Sequence, residues 1–349
     1  MQGADILSGS PGSTSTAHVL AFNISGTDPF TNQAIPTPTT LPVGAAPIVF
    51  ITQRTGALAN VTNASDSALQ TVFSGTKCDA SAFGVPAGPI QAYLREPLSG
   101  TMNTTEYTVF RRPNQDGKSQ EKGVNAHNPL TGAPCSAGGK RTRAIGTGEE
   151  VGLVKNSSVN FGTDGIGYAF FSYGNVSSIA NSSSYRYLQL NKVDGIFANY
   201  TSGDPGEPGN GTLPAATNLP TVCAASFPCS ETQIWSGHLS FPHLRDGTYR
   251  AWSILRLVSN GTALTNARLL VTKSQTYAVN SVPDFVPAIK VGTTDPGLQL
   301  LRSHYGPVAV NAGTTEKGRD AGGCIFAKGT TTTQKVQEAP GAACATFVP

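Results

Sequence analysis

The stretch REPLSGTMNTTEYTVF, residues 95–110, follows a mostly apolar, extended run over residues 89–94. The triplet Ser99-Gly100-Thr101 predicts a turn that opens a helix, because Ser or Thr caps a first helical turn and Gly lets a ligand approach the backbone. The first amide N–H groups of such a helix lack partners and carry partial positive charge, so an oxyanion can bind there. Arg95 lies just upstream and can clamp the same anion. The alternative is that Ser99 only caps a helix and that Arg95 is a surface charge.

Composition favours a secreted or cell-surface protein with about two domains or lobes. The chain has 349 residues, which is enough for about two domains of roughly 100–200 residues. Charged residues make up 13% of it, against about 25% in an average soluble domain. The net charge of +3 is too small to indicate binding to nucleic acid. No stretch approaches the ~20 apolar residues of a membrane-spanning helix.

The six cysteines indicate disulfides in an oxidising compartment, because neither CxxC nor any Cys/His grouping with zinc spacing occurs. Six cysteines allow 15 pairings, so spacing is only suggestive. Cys223 and Cys229 bracket a short loop, and Cys324 and Cys344 can tie down the tail. Cys78 and Cys135 remain as a third pair.

Apolar strands alternate with segments of helical spacing along the chain. The predicted strands cover residues 46–52 (APIVFIT), 91–94, 165–173 (GIGYAFFSY), 185–190, 195–200 and 249–258. The predicted helices cover residues 64–73, 148–155 and 263–273, with Gly75 as the stop of the first. The alternation favours an α/β architecture, and an all-β fold is the alternative because Thr, Val, Tyr and Phe are frequent.

The remaining motifs do not predict an enzyme. Gly146-Thr147-Gly148 lacks full GxGxxG spacing and follows the polar segment KRTRA, so a helix-opening turn is a better interpretation than a nucleotide loop. The basic cluster of that segment, Lys140, Arg141 and Arg143, is expected to form a solvated face, with attraction of an anion as the alternative. Neither GxSxG nor HExxH occurs. The candidate catalytic carboxylates are Glu149, Glu150 and Asp164, but nothing in the sequence pairs them.

Several of these stretches, taken in order, resemble one family. Residues 48–75 look like the crossing strand and following helix of the phosphate-binding proteins of ABC importers, which have the type 2 periplasmic-binding-protein fold. Residues 93–110 are similar to the R-x-D-G-S-G-T-x-x-x-F anion loop of that family, and residues 146–173 to its G-N-x-G-V helix and GAIGYVEY strand. Residues 249–258 resemble the strand that returns to the first lobe. The chain resembles divergent, Ser/Thr-rich, PstS-like members of this family.

The resemblance implies an α/β fold of two lobes with mixed sheets, joined by crossing strands, that closes on an oxyanion in the cleft. Lobe one would comprise residues 1–52 and 250–349, including a Cys-containing tail over 313–349, and lobe two residues 53–249. No cofactor or metal is implied. The implied partners are phosphate or a related oxyanion and an ABC permease. The matching positions for the ligand are Arg95, Ser99, Gly100 and Thr101.

The chain departs from the family at two places. Pro97 stands where the family has an Asp that fixes the Arg, and Glu96 is expected to point elsewhere if the strand is regular. Residues 3–10, GADILSGS, resemble the family's VDFGASDAP segment. Ser10, a further ligand-binding candidate, then stands with Gly9 where the family places the acceptor for protonated phosphate. We therefore expect the chain to begin inside lobe one, leaving that lobe incomplete.

Two functions follow as hypotheses. The first is an exported, periplasmic or extracellular solute-binding protein for phosphate or a similar oxyanion. The first residues of the chain, MQGADILSGS, lack the basic region and the apolar region that a signal peptide has. We therefore expect the export signal to lie outside this chain. The alternative is a structural or surface-assembly protein on the same fold, which joins copies of itself by strand addition at an unpaired sheet edge.

Overall fold

The computed structural model describes the parts of the chain that surround the predicted anion loop. These are residues 39–96, 99–110, 120, 124, 132–172, 184–196, 241–245, 247–259, 263–280, 284–288, 291, 297–298, 300–302, 325–327 and 336–337. The candidate ligand residue Ser10 and the cysteines 223, 229, 324 and 344 lie outside the described residues.

A mixed sheet of nine strands forms the centre of the fold, with short helices packed on it. Its order is β2-β7-β1-β6-β3-β5-β4, and β8 and β9 also pair with β1. The strands are β1 (Thr39–Gln53), β2 (Asn63–Ala64), β3 (Gln91–Arg95), β4 (Ala133–Pro134), β5 (Lys140–Ala144), β6 (Gly165–Phe170), β7 (Tyr185–Leu190), β8 (Trp252–Ser259) and β9 (Val286–Pro287). A separate antiparallel sheet contains β10 (Leu300–Arg302), β11 (Ile325–Ala327) and β12 (Val336–Gln337).

The helices are α1 (Asp66–Phe73), α2 (Gly100–Thr105), α3 (Gly146–Lys155), α4 (Ser157–Phe161), α5 (Pro242–Arg245) and α6 (Leu264–Asn280). Short 3₁₀ turns cover Gly56–Leu58, Ala80–Phe83 and Ser136–Gly138, and a π-helical turn, Glu106–Phe110, continues α2. The mixture of helices with parallel and antiparallel strands confirms the α/β prediction over the all-β alternative.

Strand β1 organises the sheet because it pairs with four other strands. Its first part, from Thr39 to Pro47, is antiparallel to β8 and β9, and its second part, from Ile48 to Gln53, is antiparallel to β6 and β7. The predicted strand over residues 46–52 lies inside it, and its consecutive apolar side chains are fully buried, as expected when both faces are covered. The sequence did not predict the Pro- and Gly-containing first part, which pairs with β8 with a register shift between Pro42 and Gly44.

The helix predicted at 64–73 begins two residues later, at Asp66, because Ala64 belongs to β2 and Ser65 caps the helix; Gly75 is the stop, as predicted. The Ser65 hydroxyl accepts a hydrogen bond from the amide of Ala68 at 3.1 Å, which caps α1. After Phe73 the chain leaves the helix through Gly75, whose φ of 74° lies in the left-handed region that Gly tolerates. The helix then packs its apolar face on the sheet through an aromatic cluster. The rings of Phe50, Phe73, Phe110 and Tyr168 lie 5.0–6.2 Å apart.

The interpretation of KRTRA as a polar, solvated segment was wrong. Residues 140–144 form β5, which is parallel to β3, and Arg141 and Arg143 are 4% and 2% exposed. Their guanidinium groups donate to backbone carbonyl oxygens, those of Phe73 and Gln120 for Arg141, and those of Arg95 and Val124 for Arg143. Backbone carbonyl oxygens therefore take the place of the water molecules that these charged groups lose on burial.

Other element boundaries differ by a few residues. The helix predicted at 148–155 begins at Gly146, and the helix predicted at 263–273 runs to Asn280. The strand predicted at 165–173 ends at Phe170, and the strand predicted at 249–258 begins at Trp252. Of the strand predicted at 195–200, residues 195–196 form a bend, and the others lie outside the described residues.

A disulfide joins Cys78, which follows α1, to Cys135, which follows β4. These are the two cysteines that the sequence left as a third pair. Their sequence separation is 57 and their Cα atoms are 5.6 Å apart. The bridge closes a loop that contains β3 and α2, and therefore the whole predicted anion loop.

Candidate functional site

Two parallel strands end side by side at the predicted anion loop. Arg95 at the end of β3 and Ala144 at the end of β5 are register partners. The helix α2 begins at Gly100 and α3 begins at Gly146, so two helix N-termini follow the carboxyl ends of neighbouring strands. In α/β sheets ligands bind outside the carboxyl ends of the strands, where amide N–H groups without helical partners favour anions.

The Arg95 side chain lies inside this edge and is only 9% exposed, so it is not a surface charge. Its Nη1 donates to Thr147 Oγ1 at 2.8 Å and approaches Thr101 Oγ1 at 3.5 Å. Burial disfavours the charged guanidinium, but its hydrogen bond with Glu96 and the nearby carboxyl of Glu150 raise the pKa of Arg95 above its ordinary value. A permanent positive charge is therefore held where the strands end.

Glu96 does not point elsewhere, and the expectation that Arg95 lacks a fixing carboxylate was wrong. Arg95 Nε donates to Glu96 Oε2 at 2.8 Å, and Nη2 donates to Oε1 at 2.9 Å, which is a bidentate pair. The amide of Gly146 also donates to Glu96 Oε2, at 3.1 Å. The expectation assumed that the strand continues past Arg95, but β3 ends there, so the alternation of faces no longer applies.

The environment of Glu96 is one that stabilises a negative charge. Burial raises its pKa, but hydrogen bonds from the Arg95 guanidinium and the Gly146 amide outweigh this and lower the pKa below its ordinary value. The Glu96 carboxylate is therefore an anion that the chain itself supplies, and it is bound by the Arg95 guanidinium and by the amide at the start of α3.

The start of α2 has the predicted capping geometry. The Ser99 hydroxyl accepts a hydrogen bond from the amide of Met102 at 3.4 Å, and the amide of Ser99 donates to the carbonyl of Glu96 at 3.2 Å. Gly100 is the first residue of α2, and the Thr101 hydroxyl faces the guanidinium of Arg95 at the distance given above. Ser99, Gly100, Thr101 and Arg95 therefore lie together, whereas Ser10 is outside the described residues.

Sequence reasoning missed two residues of this site, both on α3. Thr147 is the hydroxyl partner of Arg95, and Glu150 is a fully buried carboxyl whose Oε2 lies 3.9 Å from Arg95 Nε. Burial raises the pKa of Glu150 well above its ordinary value. Both residues could have been assigned to the site if KRTRA had been predicted as a strand, because the parallel pairing of β5 with β3 brings the start of α3 to Arg95.

Buried hydrogen bonds connect the end of β3 to the neighbouring elements. Arg143 Nη1 donates to the carbonyl oxygen of Arg95 at 3.0 Å. The Tyr168 hydroxyl accepts from the amide of Arg95 at 3.1 Å and donates to Gln120 Oε1 at 2.7 Å. Gln120 Nε2 in turn donates to the carbonyl of Met102 in α2 at 3.1 Å. These bonds fix the end of β3 relative to the start of α2.

No group of three or more His, Cys, Asp or Glu side chains in the described part of the chain is arranged to hold a metal ion. Among the same residues, no helix has the length and apolar character needed to cross a membrane.

The chain matches no family model and no curated protein. It is similar in structure to an ABC-type phosphate transport receptor from Vibrio cholerae, with 14% identity, a TM-score of 0.39, and coverage of 72% of this chain and 73% of the other. PstS from Borrelia burgdorferi matches with 14% identity, a TM-score of 0.37 and 69% coverage of each chain. A human phosphate binding apolipoprotein matches with 17% identity, a TM-score of 0.39, and coverage of 72% and 69%.

The first two are named as a phosphate transport receptor and as PstS, which is the class of protein that the sequence resembles.

Proposed function

We propose that this chain is a solute-binding protein that captures phosphate or a similar oxyanion at the Arg95 site. The observation that carries the proposal is a buried guanidinium, fixed by Glu96 and Thr147, at the point where two parallel strands end and two helices begin. A fixed guanidinium with neighbouring hydroxyls and amides binds an oxyanion without the cost of ordering these groups. We assign ligand contacts to Arg95, Ser99, Gly100 and Thr101 and, outside the described residues, to Ser10.

We further propose that the ligand lies between two lobes, one of residues 1–52 and 250–349 and the other of residues 53–249. The double pairing of β1, first with β8 and β9 and then with β6 and β7, supports this division. A strand shared by two groups of strands is a suitable hinge for lobes that close around a ligand.

An exported location and delivery of the ligand to an ABC permease complete the proposal. The disulfide between Cys78 and Cys135 supports export, because such bonds form and persist in oxidising compartments. The function proposed is binding, not catalysis.

The test is isothermal calorimetry of the full chain with inorganic phosphate, with sulfate in parallel. We expect phosphate to bind, and Arg95→Ala to weaken binding at least about tenfold, because hydrogen bonds to a charged group contribute about 1.5–3 kcal/mol. Arg250→Ala is the control, since it removes an Arg that pairs with Asp66 at the start of α1 instead.

An unchanged affinity in Arg95→Ala would place the ligand elsewhere. Absence of binding by either anion to the wild-type chain would overturn the proposal and leave the surface-assembly alternative. That alternative predicts a mixture of monomers and larger assemblies in size-exclusion chromatography, where the binding-protein proposal predicts a monomer.

A further inference from the structure

Two carboxyl groups approach the single guanidinium of Arg95, and they are held in different ways. Glu96 accepts hydrogen bonds from Nε and Nη2, and its side chain is 24% exposed. Glu150 lies deeper, is fully buried, and its Oε2 is 3.9 Å from the same Nε. Because the Nε hydrogen is directed at Glu96, Glu150 has no hydrogen bond with the guanidinium.

The Glu150 carboxyl is held in place by only one of its two oxygens. Its Oε1 accepts a hydrogen bond from the amide of Tyr168 at 2.9 Å, whereas its Oε2 has no hydrogen-bond partner among the described residues. Gly167 on β6 makes room for it, since a Cβ there would lie 3.1 Å from Oε1 and 2.8 Å from Val154. The fold thus encloses a carboxyl group next to the anion site.

An ionised Glu150 would be a buried charge without a hydrogen bond on one oxygen, which is costly, so the carboxyl favours its neutral form. The Arg95 charge opposes this preference, and the negative charge of Glu96 offsets part of its effect. An oxyanion bound at Arg95 would add a further negative charge nearby and would make ionisation of Glu150 still less favourable. Proton binding at Glu150 and anion binding at Arg95 therefore favour each other.

We propose that Glu150 is a positioning residue that binds a proton from the solvent together with the oxyanion, so that the site takes up its ligand and a proton as a pair. This inference rests on the proposed function. By reciprocity, the factor by which the proton strengthens anion binding equals the factor by which the anion strengthens proton binding. In the pH range where the empty site loses the Glu150 proton, affinity falls by up to about tenfold for each pH unit.

Titratable and charged groups lie on α3 and on several of the elements packed against it. They are Tyr93, Arg95 and Glu96 at β3, Tyr168 on β6, Lys140, Arg141 and Arg143 on β5, and Glu149 and Lys155 on α3 itself. Burial is the largest cause and raises the pKa of Glu150; the hydrogen bond from the Tyr168 amide and the charge of Arg95 lower it, and the charge of Glu96 raises it. Strand β1 and helix α4 have no charged residue.

The experiment compares the full wild-type chain with Glu150→Gln, in which Gln represents the neutral acid. Phosphate affinity is measured by calorimetry from pH 5.5 to 8.5, in two buffers of different ionisation enthalpy so that bound protons are counted. Because phosphate itself titrates in this range, the Glu150→Gln profile is subtracted. We expect equal affinities at pH 5.5, and at pH 8.5 at least about tenfold tighter binding by Glu150→Gln, with fewer protons taken up than by the wild type.

Glu149→Gln is the matched control, because it removes the same charge from the neighbouring position of the same helix. The Glu149 carboxylate accepts from the amide of Ile145, and this variant should follow the wild-type pH profile. Identical profiles and proton counts in wild type and Glu150→Gln would overturn the inference while phosphate binding stands. Failure of the wild-type chain to bind phosphate at any of these pH values would instead refute the proposed function.

Discussion

The hydroxyl of Tyr168 accepts a hydrogen bond from the backbone amide of Arg95 at 3.1 Å. The two residues are on neighbouring strands, but the register between β3 and β6 covers only Gln91 and Ala92, before Arg95 is reached. A side chain of β6 thus takes over the acceptor role that a strand backbone would have. Tyr168 also belongs to the aromatic cluster of the core, so the hydrophobic core and the site share a residue.

We expect Tyr168→Phe to destabilise the protein by about 1–3 kcal/mol, because the change keeps the ring but leaves the Arg95 amide and Gln120 Oε1 without this partner. Urea unfolding followed by circular dichroism measures the loss. Tyr277→Phe removes a hydroxyl from a residue that is 61% exposed and should change stability by less than about 0.5 kcal/mol. Equal stability of wild type and Tyr168→Phe would mean that this hydrogen bond does not hold the end of β3.

Thr147 supplies the second test of how Arg95 is held. Thr147→Val keeps the shape of the side chain and removes the acceptor for Arg95 Nη1, so the guanidinium loses one of its fixed bonds. We expect phosphate affinity to fall by about two- to tenfold, which corresponds to one ordinary hydrogen bond. Thr276→Val is the control on α6, where the hydroxyl bonds only to the carbonyl of Thr272 in the same helix among the bonds described. An affinity unchanged by Thr147→Val would contradict a positioning role for this hydroxyl.

The strands and helices with strong local signals were predictable from the sequence. APIVFIT has an uninterrupted apolar run, and the helix after Ser65 has both a capping residue and Gly75 as a stop. These signals arise from nearest neighbours along the chain. The first part of β1 lacks such a signal because its partners, β8 and β9, follow it by some two hundred residues, as the pairing of Thr40 with Val258 illustrates.

The candidate site was predicted only in part, because local signals along the chain identify some of its residues and not others. Ser99, Gly100 and Thr101 are adjacent in the chain, and their capping role follows from local chemistry. Thr147 and Glu150 reach Arg95 only through the pairing of β5 with β3, and β5 has no apolar pattern. The two Arg side chains of β5 can be buried because carbonyl oxygens from distant parts of the chain accept their hydrogen bonds. Local sequence patterns do not reveal such acceptors.

The disulfide between Cys78 and Cys135 should stabilise the part of the chain that carries the site. With a sequence separation of 57, a chain-entropy estimate gives about 4 kcal/mol. We expect the double variant Cys78→Ser/Cys135→Ser to lose about this much stability in urea unfolding. A reducing agent should bring the wild-type chain close to the double variant and should change the variant less. Equal stability of the two chains without reducing agent would contradict the expectation.

Tyr93 gives a prediction for alkaline pH. Its ring is fully buried, its hydroxyl is 2.9 Å from Ser157 Oγ, and burial raises its pKa to about 12, although the hydrogen bond with Ser157 partly opposes this. The folded state therefore holds the phenol proton more tightly than the unfolded state, whose ordinary value is 10.0. The contribution of this raised pKa to the free energy of unfolding is fully present below pH 10. It is lost as the pH rises from 10 towards 12, by up to about 1.4 kcal/mol per pH unit.

Thermal unfolding of wild type and Tyr93→Phe between pH 9 and pH 11.5 tests this sign. Tyr93→Phe should be the less stable protein at pH 9, because Ser157 loses its partner, but its stability should fall less steeply above pH 10 because it has no phenol to ionise there. The slope should be reduced and not abolished, since burial also raises the pKa of Tyr249. Parallel slopes for the two proteins would show that Tyr93 ionises as readily in the folded state as in the unfolded chain, which a buried phenol next to Ser157 does not allow.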